Sequence, residues 1–184
     1  MNNKYELIES DFKIHFGIKL FRIKAKINIG LTVKKGTLGG YISSEKNLSI
    51  YGNAWVYGNA KVYGDAKVYG NAKVHGDAWV YGNARVSGDA LVYGDAQVYG
   101  DAQVYRDARV SIGECTEKVI NLINLCEFNI TKYGEYIRVG CKVFKKIEWI
   151  KLLEDSDLFL DECKDKKSQQ KLHFYVTSLL MDGE

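Results

Sequence analysis

The chain of 184 residues contains no proline, so no proline-rich linker or polyproline segment divides it. It also lacks the run of about 20 apolar residues that a membrane-spanning helix requires. The opening MNNKYELIESDFK holds no apolar stretch of the kind a secretory signal carries. A cytoplasmic protein without a membrane partner is expected. Charge of one sign is scarce: the net charge is +3, far from the strongly basic profile of nucleic-acid proteins. The basic excess is N-terminal, with 9 basic against 4 acidic residues in 1–48, 6 against 6 in 49–112, and 11 against 13 in 113–184. Cysteine is confined to Cys115, Cys126, Cys141 and Cys163, with no CxxC pair and no neighbouring His cluster. No metal site is expected, and reduced thiols suit a reducing compartment.

Glycine (18) and tyrosine (13) are abundant, which in a proline-free chain points to a periodic bias. From Ile50 to Val110 an aliphatic residue recurs at every sixth position, and alanine follows the same period from Ala54 to Ala108. Leu48 and Ile42 extend the alanine column backwards with larger side chains. The unit is V-Y-G-(N/D)-A-x. On a short strand Val faces one way and its two neighbours the other. Gly followed by Asn or Asp is a corner, because Gly tolerates positive φ and the Asx side chain bonds to nearby backbone. Alanine is small enough to point inward beside Val. Three such sides give 18 residues per coil, and coils stack about 4.8 Å apart. The expected result is a triangular parallel β-helix of a little over three coils, whose narrow Val/Ala core leaves end caps and association to supply further stability.

The repeat, as in VYGNAKVYGDAKVYGNA, resembles the hexapeptide-repeat left-handed β-helix family. The flanks LFRIKAKINIG, GTLGGYISSEKNLS and YGEYIRVGCKVFKKIEWIKLLE resemble small phage- and prophage-encoded members of it. The resemblance implies the left hand of the helix, a threefold oligomer of parallel prisms, and in many members an acyl-coenzyme A transferase with a His base.

The fold class expected is therefore mainly β: a left-handed parallel β-helix over 38–112, an N-terminal β-ribbon cap over 1–37 and a small α/β cap over 113–184. Residues 12–33 read as two strands, the second alternating Phe21, Ile23, Ala25, Ile27, Ile29, Leu31 and Val33 against Arg22, Lys24, Lys26 and Asn28. Strands are expected at 118–126, 127–132 and 135–144, with Gly134 in a turn. Helical spacing is present over 144–154 (Phe144, Ile147, Ile150, Leu153) and over 166–181 (Leu172, Val176, Leu179, Leu180). Arg106 replaces the corner glycine at the last turn and marks the end of regular winding.

Counting 18 residues per coil sorts the outward positions into three faces. The first stacks Trp55/Tyr57, Lys73/His75, Leu91/Tyr93 and Arg109/Ser111. The second stacks Lys61/Tyr63, Trp79/Tyr81 and Gln97/Tyr99, and the third Ser49/Tyr51, Lys67/Tyr69, Arg85/Ser87 and Gln103/Tyr105. Tyr, Trp and Arg are the residues that interface centres prefer, and apolar patches of this size are rare on monomers. The binding residues expected are Trp55, Tyr57, Tyr63, Trp79, Tyr81, Leu91, Tyr93, Tyr99, Arg85 and Arg109. No catalytic residue or cofactor is expected. The hexads run without an inserted loop from Leu48 to Ile112, and His75 occupies a Tyr position as a member of an aromatic ladder. His15 and His173 read as structural. The corner Asn and Asp residues read as turn formers rather than calcium ligands. The reading is a non-catalytic phage-type protein that forms a trimer or dimer and binds a host or phage protein, such as a defence component. An acyltransferase and a protein sequestering a small nucleotide are the alternatives.

Overall fold

A computed structural model describes residues 2–116, 119–122, 130–139, 142–154 and 166–181. The chain forms two compact units, Met1–Val119 and Ile120–Glu184. The N-terminal ribbon thus belongs to the same unit as the coils, and the expected boundary at 112/113 moves to 119/120.

The first unit opens with a hairpin, β1 (Tyr5–His15) and β2 (Ile18–Ala25), closed by Phe16 and Gly17, both at positive φ. A two-residue loop with positive φ at both positions matches the right-handed twist of the strands it joins. Three residues bulge from β1 between Ile8 and Phe12. β2 pairs antiparallel with β3 (Leu38–Ile42), which joins the first coil. The expected alternation fails beyond Ala25: residues 26–37 form a loop pinned by an Ile29–Val33 bridge, Gly30 turns at φ 55, and Ile27 and Leu31 are exposed. The chain leaves the strand because Gly30 and the Lys34-Lys35-Gly36 break favour turns over a ladder.

Two-residue strands then follow at every hexad, and the 18-residue register places them on three faces as the spacing requires. β4 (Trp55–Val56), β7 (Lys73–Val74), β10 (Leu91–Val92) and β13 (Arg109–Val110) form the first face. β5 (Lys61–Val62), β8 (Trp79–Val80), β11 (Gln97–Val98) and β14 (Glu114–Cys115) continue the β1-β2-β3 sheet as the second face. β6 (Lys67–Val68), β9 (Arg85–Val86) and β12 (Gln103–Val104) make the third. The result is a β-solenoid of about four turns. Backbone bonds run from coil to coil on the faces (Trp55 N to Ala72 O, 3.0 Å) and at the corners (Asp77 N to Gly94 O, 2.9 Å). Val and Ala from Ala54 to Val110 are at most 1% exposed, so the interior is filled by side chains rather than open.

The register changes at both ends. Ile42 pairs with Val62 and Leu48 with Val68, a spacing of 20 (62 − 42 and 68 − 48) rather than 18. Leu48 and Ile42 therefore continue the valine column, not the alanine column, and Ile50 is left 38% exposed outside it. Ile42 and Leu48 are 6 apart (48 − 42), as Val62 and Val68 are, whereas Leu48 and Val56 are 8 apart (56 − 48) against 6 for Val68 and Val74, so the two extra residues lie between Leu48 and Val56. Ahead of them comes a short 3-10 helix (Glu45–Asn47), whose buried Asn47 donates to the Gly64 and Ala66 carbonyls (both 2.9 Å). At the far end Val98 pairs with Cys115, a spacing of 17 (115 − 98). Arg106 does not end the winding: it takes the glycine's left-handed conformation at φ 58, and the coil continues through β13 and β14.

The open N-terminal end of the prism is closed by Lys4 and Tyr5. The Lys4 ammonium, 3% exposed, donates to the Ser49 and Ala54 carbonyls (both 2.9 Å), and the Tyr5 hydroxyl donates to the Leu48 carbonyl at 2.6 Å. These carbonyls belong to the first coil, which has no coil before it to satisfy them. Burial pushes Lys4 down to about 8 and raises Tyr5 above its ordinary range.

The second unit is an antiparallel sheet in the order β15 (Ile120–Leu122), β16 (Ile130–Tyr133), β17 (Tyr136–Val139), β18 (Lys142–Lys145), with α1 (Lys146–Glu154) and α2 (Lys166–Met181). Gly134 turns between β16 and β17 at φ 49. The single strand expected over 135–144 is instead two paired strands, and Phe144 lies on the second of them, not on the helix. Trp149 anchors the core among Ile130, Ile137, Val139, Val176 and Leu179, its indole N–H donating to the Ile137 carbonyl at 2.6 Å. Cys126, Cys141 and Cys163, and the strand character expected at 123–129, lie outside the described residues.

Candidate functional site

The three coil faces carry equivalent sequence positions but different coverings. On the second face the hairpin folds back over the outward side chains. Leu20 is buried against Tyr41 and Tyr63, and the tip places His15 on Trp79 (ring centroids 4.5 Å) and on Tyr63 (5.4 Å), with Phe16 edge-on to Trp79 at 6.0 Å. Arg22 fixes this fold-back: it pairs with Asp11 in the bulge at 3.0 Å and donates to the Tyr41 hydroxyl at 2.7 Å. Tyr63 is therefore buried and Trp79 half-buried, not free on an outer face as their column positions suggest. Below the hairpin, Tyr63, Tyr81 and Tyr99 stack at 5.1 and 4.8 Å with nearly parallel rings. Burial pushes Tyr63 up to about 12, and hydrogen bonding to the Glu114 carboxylate does the same to Tyr99.

On the first face Trp55 is fully buried, edge-on to Tyr5 at 6.2 Å. It cannot serve on an exposed association surface, which corrects the expectation drawn from its column. Its indole N–H has no hydrogen-bond partner among the described residues. The 29–32 loop hangs beside it, joined to the face by Thr32 and Tyr57, whose hydroxyls are 3.3 Å apart. Between this loop and the face runs a cleft of about 440 Å³, within the size range of ligand sites. Ile29, Gly30, Leu31 and Thr32 form its loop wall, and Lys73, Leu91 and Arg109 its floor. Asn53, Asn71 and Asp89 form the corner rail. The rail is a side-chain ladder: Asn53 donates to Asn71 (3.1 Å) and Asn71 to Asp89 (3.0 Å).

Beside this floor His75 stacks on Tyr93 with centroids 5.2 Å apart and planes 15° from parallel. Desolvation and the Lys73 charge hold its pKa below the usual histidine range, so it is neutral near pH 7 and sits in the expected ladder. The cleft is lined by side chains other than His75.

The third face has no covering segment among the described residues. Lys67, Tyr69, Arg85 and Gln103 are all exposed.

Of the residues picked from the sequence, the structure brings Leu91 and Arg109 together in the cleft and keeps Tyr57 and Tyr93 beside it. Tyr81 and Tyr99 remain on the lower second face, and Arg85 stands on the third. The loop wall and the Asn/Asp rail were not picked. The signal for the rail was present, since Asn53, Asn71 and Asp89 recur at 18-residue spacing, but those residues are equally explained as turn formers. The loop carried no signal, because its course across the face depends on how the ribbon departs from Ala25.

The coils match the family of the YdcK Beta solenoid repeat over residues 78–94, 84–100 and 96–111. No curated protein matches the chain. No helix among the described residues is long and apolar enough to cross a membrane.

Proposed function

We propose that this chain is a non-catalytic binding and assembly protein of the phage-encoded type, which self-associates through a coil face and acts by holding a protein partner in the cytoplasm. A host defence protein is the partner class that the resemblance of repeat and flanks suggests. The observation that carries the reading is the ordering of the outward side chains. Tyr63–Tyr81–Tyr99, His75–Tyr93 and Asn53–Asn71–Asp89 are stacked or bonded to one another from coil to coil. A surface whose rings and amides are already fixed loses little conformational entropy on binding. The same ordering weighs against an acyltransferase, since His75 is packed into a ladder with its ring against Tyr93.

The test is the mass of the full chain in solution, measured with and without coenzyme A, acetyl-coenzyme A and a set of cyclic nucleotides. An oligomer of fixed size that ignores these molecules is the expected result. A monomer, retention of any of the small molecules, or acetyl transfer lost in His75→Ala would overturn the proposal.

A further inference from the structure

We infer that the cleft on the first face seats an extended acidic segment of a partner protein, with carboxylates against Lys73 and Arg109 and an apolar side chain on Leu91 beneath Leu31. This rests on the binding function proposed above and names the chemistry of the partner.

The floor alternates charge, apolar, charge from one coil to the next, because Lys73, Leu91 and Arg109 are paired in register on β7, β10 and β13. Neither the Lys73 ammonium nor the Arg109 guanidinium is in an ion pair or hydrogen bond with another described residue. Against these two cations the lining holds one carboxylate, Asp89, and its Oδ1 already accepts from Asn71. The unspent charge of the cleft is positive, and Lys34 and Lys35 follow the loop wall at once, both exposed.

The apolar requirement comes from the loop. Leu31 is 102% exposed while lining the cleft, so its side chain has no protein surface against it, and the half-buried Leu91 lines the same cleft. Occupation of the cleft would cover both, which is favourable at roughly 25 cal/mol per Å² of apolar surface removed from water.

The spacing selects an extended chain over a single small anion. Residues two coils apart are separated by about 10 Å at the backbone, beyond the span of one carboxylate or phosphate hydrogen-bonded at about 2.8 Å to each cation, unless both side chains fold inward. An extended segment of the pattern acidic–x–apolar–x–acidic places three side chains on one face, and the long arms of Lys73 and Arg109 reach its two ends.

The probe is the acetylated, amidated peptide Gly-Glu-Ser-Leu-Ser-Glu-Gly, titrated into the full chain and followed by calorimetry. Two control peptides replace both Glu by Gln, or Leu by Ser. The expected result is binding of the acidic peptide that weakens about 5- to 30-fold in each of Lys73→Glu and Arg109→Glu and falls as salt rises from 0.05 to 0.5 M, roughly a threefold shortening of the Debye length. Leu31→Ser and the Ser control peptide should weaken it severalfold, and Lys46→Glu, on the exposed 3-10 turn, should leave it unchanged. Thermal melts of each variant separate loss of the site from loss of the fold.

Equal binding of the Gln peptide, or binding indifferent to both charge reversals, overturns the inference. Inorganic phosphate that binds alone with the same dependence on Lys73 and Arg109 and displaces the peptide overturns it in favour of a small anion. If the chain assembles and ignores small molecules as proposed while the acidic peptide fails, the inference falls and the binding function stands. If the chain is monomeric or retains coenzyme A, the binding function itself falls.

Discussion

The coils and the unit that follows them are stabilised in opposite ways. In the coils the interior is the same pair of side chains, Val and Ala, repeated from Ala54 to Val110 with almost no exposure, so no single interior side chain dominates. From Ile120 onward the core is a cluster of unlike residues around one tryptophan, Trp149, whose indole is both packed and hydrogen-bonded. A repeated core spreads its energy and concentrates its weakness in the backbone corners and the two ends. A core built once concentrates its energy in a few large side chains.

The largest effect expected from this contrast is at Trp149. Trp149→Ala removes the anchor of the second unit and should cost about 3–5 kcal/mol there. Calorimetry should then show the 120–184 transition lost or lowered while the coil transition keeps its midpoint. A coil midpoint that falls by the same amount would show that the two units melt as one.

A corner substitution sharpens the comparison from the other side. Gly76 sits at φ 73, and a Cβ there would meet the backbone of Gly94 at 2.9 Å. Gly76→Ala should therefore cost about 1–3 kcal/mol through the left-handed backbone and the contact together. The converse change, Arg106→Gly, relieves the same strain at φ 58 but loosens the unfolded chain, so its effect should lie within about 1 kcal/mol of zero. Urea titrations of both variants check this pair. A Gly76→Ala variant as stable as the parent would mean that corners yield to strain.

A further effect concerns the end of the prism and is read as a pH dependence. Because Lys4 is pushed down to about 8 from 10.5, the unfolded chain binds more protons than the folded one between those values. Stability should rise with pH across that window, with the full penalty present below pH 8. Tyr63, pushed up to about 12, and the raised Tyr5 act oppositely from pH 10 upward, since the folded chain keeps protons that the unfolded one releases. Urea stability should therefore peak near pH 10. Lys4→Met should lower stability by about 1–3 kcal/mol, since the Ser49 and Ala54 carbonyls lose their donor, and should flatten the rise above pH 8. An unchanged slope in that variant would remove Lys4 as its source.

Much of the coil was legible because each of its rules is local. Gly-Asx makes a corner wherever it stands, and a two-residue strand alternates regardless of its neighbours, so the three face columns follow from counting. Where the count left the repeat it failed. Ile42 and Leu48 stand in the valine column because the stretch between Leu48 and Val56 takes up two extra residues, a length no periodicity in that stretch records. Trp55 and Trp79 occupy outward positions, yet one is buried and the other covered, since outward from the coil is not the same as outward to water. The Phe16-Gly17 turn and the bulge in β1 were not found because strand alternation is interrupted there.

The sequence by itself determined the architecture of this protein: the period of six fixes three sides, the Val/Ala alternation fixes what faces in, and the corner glycines fix where the chain turns. The tertiary structure alone decided which outward residues are available to a partner. That outcome depends on how the bulged hairpin and the 26–37 loop fold back across two faces, through Arg22 on Asp11 and Tyr41, His15 on Trp79, and Thr32 on Tyr57. These are contacts between residues remote in sequence, and no local propensity or period encodes which distant surface a covering segment will meet.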